Sequence, residues 1–409
     1  MIIKQEYMGE RIKQKYGVNP SERVWKWQKI LRKEKKGMLL MNDYEKRFNE
    51  EWNKYQSKNE NKYPNIMLLG TSGAGKSSLI NTVFGKEIAP VSDVRPETKG
   101  YDKIYMGKDY GSSVNLIDTA GYEMDQGEIY YSEIKKTISA GINGSSIHII
   151  WYCIPITNER VQKMDFDILQ KLTKEESIRK RICVVFTKCD ADTKNGDKAK
   201  SLKKAVDKNL EFSLKSFETS TNKEVDLELN DLIKWSASVI DDADLRNNFI
   251  AAQMKDLEVK RKYAEKIIVT ATVAAGAVGV TPIPFSDAVL LVPVQVEMLR
   301  KIIDIYGVSN LVNISTAVIS DVIITNLGKS IVSSVLKVIP IVGQIVGAVI
   351  SGGVAAALTG AIGYAASELC YQNVNKFLKG QPVAWDNIFG SDEFLRLVKK
   401  NFNEKKSSM

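Results

Sequence analysis

The sequence of 409 residues predicts an α/β protein: a mostly parallel sheet with helices on both faces, preceded by a helical extension and followed by an all-α apolar domain. Three observations lead there. Short apolar runs alternate with helix-like segments between residues 64 and 240. The first run feeds a glycine-rich loop, Gly70 to Ser78 (GTSGAGKSS), that opens straight into a helical pattern. Past Lys266 the composition turns to Ala, Gly and Val, and Val338 to Ser367 contains no charged residue. That run is longer than the ~20 residues a membrane span requires.

Each element follows from local chemistry. In the charged extension, residues 1–63, Ser21 can cap a helix carrying Val24, Trp27, Ile30 and Leu31 on one side, although Val24 stands where a capping box needs Glu or Gln. This helix is expected to dock on another domain or to lie on a membrane surface. After a polar linker, six strands are expected: Asn65 to Leu69, Asp102 to Met106, Val114 to Ile117, Ile147 to Ile154, Ile182 to Phe186 and Leu232 to Trp235. The lysine-rich stretch between Asp190 and Leu232 reads as a solvated helix. A closing helix then runs from Asp241 or Asp242, as N-cap, to Lys266, with Leu245, Phe249 and Leu257 facing inward.

Beyond it, Ile267 to Val280 forms a helix too short to span a membrane. Pro282 and Pro284 break it, and a second helix starts at Ser286 or Asp287. In the uncharged run, Gly343, Gly347, Ser351, Ala355, Thr359, Gly363 and Ser367 recur every four residues, a small-residue stripe that lets another helix approach closely, in a membrane or in a soluble bundle. A short amphipathic helix and a frayed tail, NEKKSSM, end the chain. The division expected is 1–63, 64–240, a connecting helix over 241–263, the apolar domain over 264–379, and 380–409.

The loop carries the most specific chemistry. Gly70 and Gly75 bracket four residues, and Lys76 and Ser77 follow at once, the spacing of a phosphate-binding loop. Its glycines let successive backbone N–H groups turn toward one anion, and the helix starting at Lys76 adds the positive end of its dipole. The binding set is Gly70, Ser72, Gly73, Ala74, Gly75, Lys76, Ser77 and Ser78. Lys76 would reach the β- and γ-phosphates, and the Ser77 hydroxyl would ligate Mg²⁺. Downstream, the run RICVVFTKCD ends in Thr187, Lys188, Cys189 and Asp190 at the C-terminal edge of a strand, where open α/β sheets bind ligands. A carboxylate there accepts hydrogen bonds from guanine N1 and N2, a donor pair adenine lacks.

Taken together, Gly70 to Ser77, Thr98 in RPETKG, Asp118 to Gly121 in NLIDTAG, Thr187 to Asp190, and Ser236-Ala237 in IKWSAS resemble the five ordered motifs of translation-factor-class GTPases, most closely the Era-like branch. The resemblance implies GTP or GDP with Mg²⁺ as ligands, guanine selection by Asp190, Lys188 lying along the base, and the Ala237 N–H meeting guanine O6 next to Ser236. It further implies that Asp118 holds Mg²⁺ through water, that the Gly121 N–H senses the γ-phosphate, and that Thr98 closes over the metal in the GTP state; Ser92 competes with Thr98 for that place. The residue after Gly121 is Tyr122, where Ras-type enzymes carry the water-orienting glutamine. Slow intrinsic hydrolysis is therefore expected, with water positioned by Gln126, a partner protein or a second copy of the chain. Residues from about Ala264 to Lys379 resemble domain of unknown function 697, which occurs fused to Era-like domains in bacteria, and more loosely the helical tails of immunity-related GTPases.

Composition narrows the rest. The net charge of +9 suits an anionic membrane or nucleic acid, but it is scattered. The four cysteines lack metal-ligand spacing, as in a reducing cytosol, and the one histidine, His148, lies in a strand, which excludes a histidine-based metal site or triad. The N-terminus lacks the apolar core of a signal peptide, so a cytoplasmic protein at the inner face of a membrane is expected. The reading is a membrane-associated regulatory GTPase; a self-assembling, dynamin-like or immunity-like remodelling GTPase is the alternative, and an Era-like RNA or ribosome factor comes third. Expected partners are a membrane surface or bilayer, a further copy of the chain, and a protein effector. Nucleic acid is not expected, because no KH-like GXXG loop or aromatic-basic sheet follows the nucleotide domain.

Overall fold

The computed structural model describes residues 46–48, 50–54, 63–84, 102–107, 112–119, 127–142, 144–192, 196–222, 225, 227–278, 283–284, 290–308, 349–350, 352–385, 388–389 and 392–407. A six-stranded sheet runs in the order β2-β3-β1-β4-β5-β6. Its strands are β1 (Asn65–Leu69), β2 (Asp102–Tyr105), β3 (Asn115–Thr119), β4 (Ile147–Pro155), β5 (Ile182–Thr187) and β6 (Ser216–Glu218). All pair parallel except β2, which lies antiparallel to β3 at one edge. Strands β1, β3 and β5 are buried throughout, which is why they read as near-continuous apolar runs.

Helices cover both faces. On one, α1 (Lys76–Phe84) packs with α6 (Leu229–Ser238) and α7 (Ala243–Ala252); Phe84 stacks on Trp151 and meets Phe249 edge-on. On the other lie α2 (Gly127–Ala140), α3 (Lys163–Thr173), α4 (Glu176–Arg179) and α5 (Asp197–Asn209). Five of the six expected strands are present and the sixth is not. Leu232 to Trp235 lies inside α6, where Leu229, Leu232, Ile233, Ser236 and Ala237 are buried at helical spacing. The strand that completes the sheet is instead β6, three residues of which only Phe217 is buried, too short to leave a periodic signal.

The closing helix expected from Asp241 to Lys266 is two helices. Asp242 caps α7, its Oδ1 accepting from the N–H groups of Asp244 and Leu245 at 2.8 and 3.0 Å. The chain then breaks at 253–256, where Asp256 Oδ1 accepts from the Val259 N–H at 2.9 Å and starts α8 (Leu257–Val278). Phe249 is fully buried, while Leu245 and Leu257 are half-buried. The boundary drawn at residue 264 falls within α8.

The C-terminal part is helical: α8, α9 (Val292–Tyr306), α10 (Gly352–Leu378) and α11 (Asp392–Ser407), with a two-residue pairing of β7 (Ile283–Pro284) and β8 (Val349–Ile350). Among the described residues α10 is the one helix long and apolar enough to cross a membrane, and most of it is covered by protein. Ala355, Thr359, Gly363 and Ser367 are buried on it, so this part of the small-residue stripe faces neighbouring helices. At Gly363 an added Cβ would lie 2.8 Å from both Ile268 Cγ1 and Met298 Sδ. Gly363→Ala is therefore expected to destabilise the protein by about 1–3 kcal/mol. Denaturant unfolding measures this, and an unchanged midpoint would mean that α8 and α9 move aside freely. Gly343, Gly347, Ser351, Ser286 and Asp287 lie outside the described residues.

The first and the last of the described segments both contribute to this helical core. Phe48 and Trp52 stack at 5.8 Å and are fully buried in it, with the Arg300 guanidinium over the Trp52 ring. The helix expected from Ser21 lies outside the described residues. At the other end the expected frayed tail is helical as far as Ser407, and Phe394, Leu397, Val398 and Phe402 pack on α10 and its neighbours.

Sheet and helical core meet where α7, α8 and α9 converge. The Met254 N–H donates to Val83 O, at the end of α1, at 2.8 Å. Lys260 is fully buried, and its Nζ donates to Ala251 O at 2.7 Å and Ile305 O at 3.1 Å, near the carbonyl ends of α7 and α9. Burial pushes this ammonium down to about 7.

Candidate functional site

The site begins where β1 ends. Gly70 takes a φ of +134°, and a Cβ there would sit 2.2 Å from Cys153 O, so no side chain fits at the loop entrance. The Ala74 N–H closes a turn on Thr71 O at 3.2 Å, and α1 starts at Lys76. Lys76 folds back over the loop, its Nζ donating to Gly70 O and Thr71 O, both at 3.1 Å. Burial lowers its pKa, while the Asp118 carboxylate works in the opposite direction. Ser77 Oγ donates to Asp118 Oδ2 at 2.6 Å. A hydroxyl and a buried carboxylate in contact, one from α1 and one from β3, form a hard-oxygen pair of the kind Mg²⁺ takes, so these residues fit the ion.

A second group gathers at the ends of β5 and β6. Thr187 Oγ1 donates to Ala74 O at 2.6 Å, which ties the end of β5 to the glycine-rich loop. Lys188 adopts φ +59°, the left-handed region, which costs a non-glycine residue about 1 kcal/mol or more. Its Cε comes within 4.0 Å of the Cβ position of Gly75. Asp190 is exposed, and its Oδ1 accepts from Ser220 Oγ at 2.7 Å; the Asn222 N–H in turn donates to that hydroxyl at 3.0 Å. The Thr219 N–H donates to Phe186 O at 2.8 Å and the Cys189 N–H to Thr219 O at 3.1 Å, so the segment after β6 is stitched to the segment after β5.

Ser236 and Ala237 do not join this group. Both are buried in α6, where Ser236 Oγ accepts from Trp151 Nε1 at 3.0 Å behind the sheet, and the Ala237 N–H belongs to the helix. The residues that do sit beside Asp190 are Thr219 and Ser220, which the sequence reading missed. Their signal was a polar TSTN run after a three-residue strand. Thr98, Ser92, Gly121, Tyr122 and Gln126 lie outside the described residues. His148 stands apart from the site: its Nδ1 accepts from the Asn65 N–H at 2.9 Å. All four cysteines are buried thiols.

Residues 65–188 match the family described as 50S ribosome-binding GTPase, and residues 244–388 match domain of unknown function 697. The chain joins a P-loop GTPase domain to a domain of unknown function 697. The chain is 35% identical over 99 residues to GTP-binding protein A of Dictyostelium discoideum, covering 24% of this chain and 21% of that protein. It is 31% identical over 153 residues to GTPase Der of Clostridium botulinum, covering 36% of this chain and 33% of the relative. The chain thus spans a third or less of the length of these relatives. Among solved structures, Toc33 of Arabidopsis thaliana aligns with a TM-score of 0.35 at 18% identity, over 48% of this chain and 91% of that one. Era of Aquifex aeolicus aligns with a TM-score of 0.34 at 17% identity, over 53% and 68%.

Proposed function

We propose that the protein is a Mg²⁺-dependent switch that binds and slowly hydrolyses GTP, and that its helical domain links nucleotide state to membrane association. The observation that carries this is the joining of two half-sites on one sheet edge: the Lys76 loop with the Ser77–Asp118 pair, and the Asp190–Ser220 pair, tied together by Thr187 and Ala74. In this reading the loop amides and Lys76 hold the β- and γ-phosphates, and Asp190 and Lys188 hold guanine. The Thr219–Ser220 segment takes the place first given to Ser236 and Ala237. Ser77 and Asp118 hold Mg²⁺, which when bound neutralises charge on the phosphates. Thr98 and Gly121 respond to the γ-phosphate, and Gln126 or a partner orients water.

Association through a surface, rather than by α10 crossing the bilayer, is supported by the protein cover on α10 and by the exposure of Val269, Val273 and Leu290 at 50%, 69% and 58%. Two measurements test the reading. Wild type should bind GTP and GDP and ignore ATP, with turnover well below about one per second that rises with protein concentration or lipid. Equal affinity for ATP and GTP sinks the nucleotide half. In flotation with anionic liposomes the protein should rise, and Val273→Asp should reduce the floating fraction. Protein that stays at the bottom with every nucleotide removes the membrane half; sedimentation as a larger species with GTP would then favour self-assembly.

A further inference from the structure

We propose that Tyr130 is a positioning residue for the phosphate side of this site; the inference rests on the nucleotide reading above. Tyr130 lies in the first turn of α2, buried in the core on that face of the sheet. Its hydroxyl accepts from the Gly70 N–H at 3.3 Å and stands 3.1 Å from Thr119 Oγ1. Thr119 Oγ1 spends its single proton on Leu68 O at 2.7 Å. The phenol is therefore the donor to Thr119, and the chain runs in one direction: Gly70 N–H to Tyr130, Tyr130 O–H to Thr119, Thr119 O–H to Leu68.

This relay ties together β1, the entrance of the loop, the end of β3 and α2. Each of its inner members is one step from a functional group. Gly70, whose N–H meets the phenol, offers its carbonyl to Lys76 Nζ. Thr119 follows Asp118, which pairs with Ser77. Tyr130 fixes the backbone from which Lys76 and Asp118 act. Hydrogen bonds in such a relay polarise one another, so loss of one oxygen loosens both ends. Lys76 and the metal pair serve the terminal phosphate as well as the β-phosphate, so loosening them costs the triphosphate and its transition state more than the diphosphate.

Tyr130→Phe keeps the buried ring and removes the oxygen. In the full chain, with GTP and Mg²⁺, we expect kcat to fall about tenfold, KM to stay within about threefold, and GDP affinity to change less than affinity for a non-hydrolysable GTP analogue. Packing alone would lower the melting temperature and leave kcat per bound nucleotide intact. Thr119→Val should lower kcat likewise, and the double variant should lose no more than the worse single one, as members of one relay do. Should Tyr130→Phe fail to fold, Thr119→Val, with Thr119→Ser as the conservative rescue, carries the same readout. If wild type binds no guanine nucleotide, the nucleotide reading falls and this inference with it. If wild type turns over GTP and both single variants keep its kcat, or their losses simply add, the relay is overturned and the nucleotide reading stands.

Discussion

Asp190→Asn is expected to weaken GDP and GTP binding by on the order of 10³-fold and to raise affinity for xanthine nucleotides. The Ser220 hydroxyl donates to Asp190 Oδ1 at 2.7 Å. In the variant the amide oxygen takes that position, because only an acceptor can satisfy the hydroxyl proton there. The NH₂ group then occupies the place of Oδ2 and points a donor where guanine also presents one. One charge-assisted hydrogen bond gives way to an opposed donor pair and the other becomes neutral, together about 4 kcal/mol, or three powers of ten. Xanthine carries an oxygen where guanine has its amino group, so it pairs with the amide. Competition of XDP and GDP for the variant reads the change directly. An unchanged preference for GDP would mean that Asp190 does not face the base. Because Asp190 is exposed, the fold should tolerate the substitution, which keeps the result interpretable.

How far the sequence could be read depended on the range over which each feature is encoded. The glycine-rich loop is local: spacing, preceding strand and following helix all lie within twenty residues, and Gly70 with its +134° φ is placed by the loop itself. Strands β1, β3 and β5 were legible because burial on both faces makes them apolar runs. Strand β6 failed because a three-residue edge strand has no period, and the nearby LIKW run, with its buried Leu and Ile, supplied a plausible substitute. Misplacing that strand set Ser236 beside Asp190 in the reading, where the fold places Ser220, sixteen residues earlier. The break between α7 and α8 was hidden for a different reason. Gln253 and Asp256 satisfy one another's groups, Gln253 Nε2 donating to Asp256 O at 2.8 Å and the Asp256 N–H to Gln253 Oε1 at 2.9 Å, and such a brace looks like ordinary helix composition. Tyr130 is invisible to any local pattern, since its partners Gly70 and Thr119 are brought to it only by the fold.

The joint between the two domains should respond to pH through Lys260. Its folded pKa, pushed down to about 7 by burial, lies below the value of about 10.4 for an unfolded lysine. Between those values the unfolded chain holds a proton that the folded chain has released, so stability rises with pH across that window and is lowest below it. From pH 7 to 9 the gain attributable to this side chain is about 2 kcal/mol. Lys260→Met fills a similar volume without the titration, so its unfolding free energy should lack this rise. The variant also leaves Ala251 O and Ile305 O without their donor, a loss of about 1–3 kcal/mol that does not vary with pH. The informative quantity is therefore the slope of the difference between wild type and variant, measured by denaturant unfolding at pH 7, 8 and 9. Parallel curves would mean that Lys260 keeps an ordinary pKa in the folded protein, held charged by the two carbonyls it reaches. A diverging pair would show that protonation loosens the place where α7, α8 and α9 meet. That place is also where the Met254 N–H holds the end of α1, the helix that begins at Lys76.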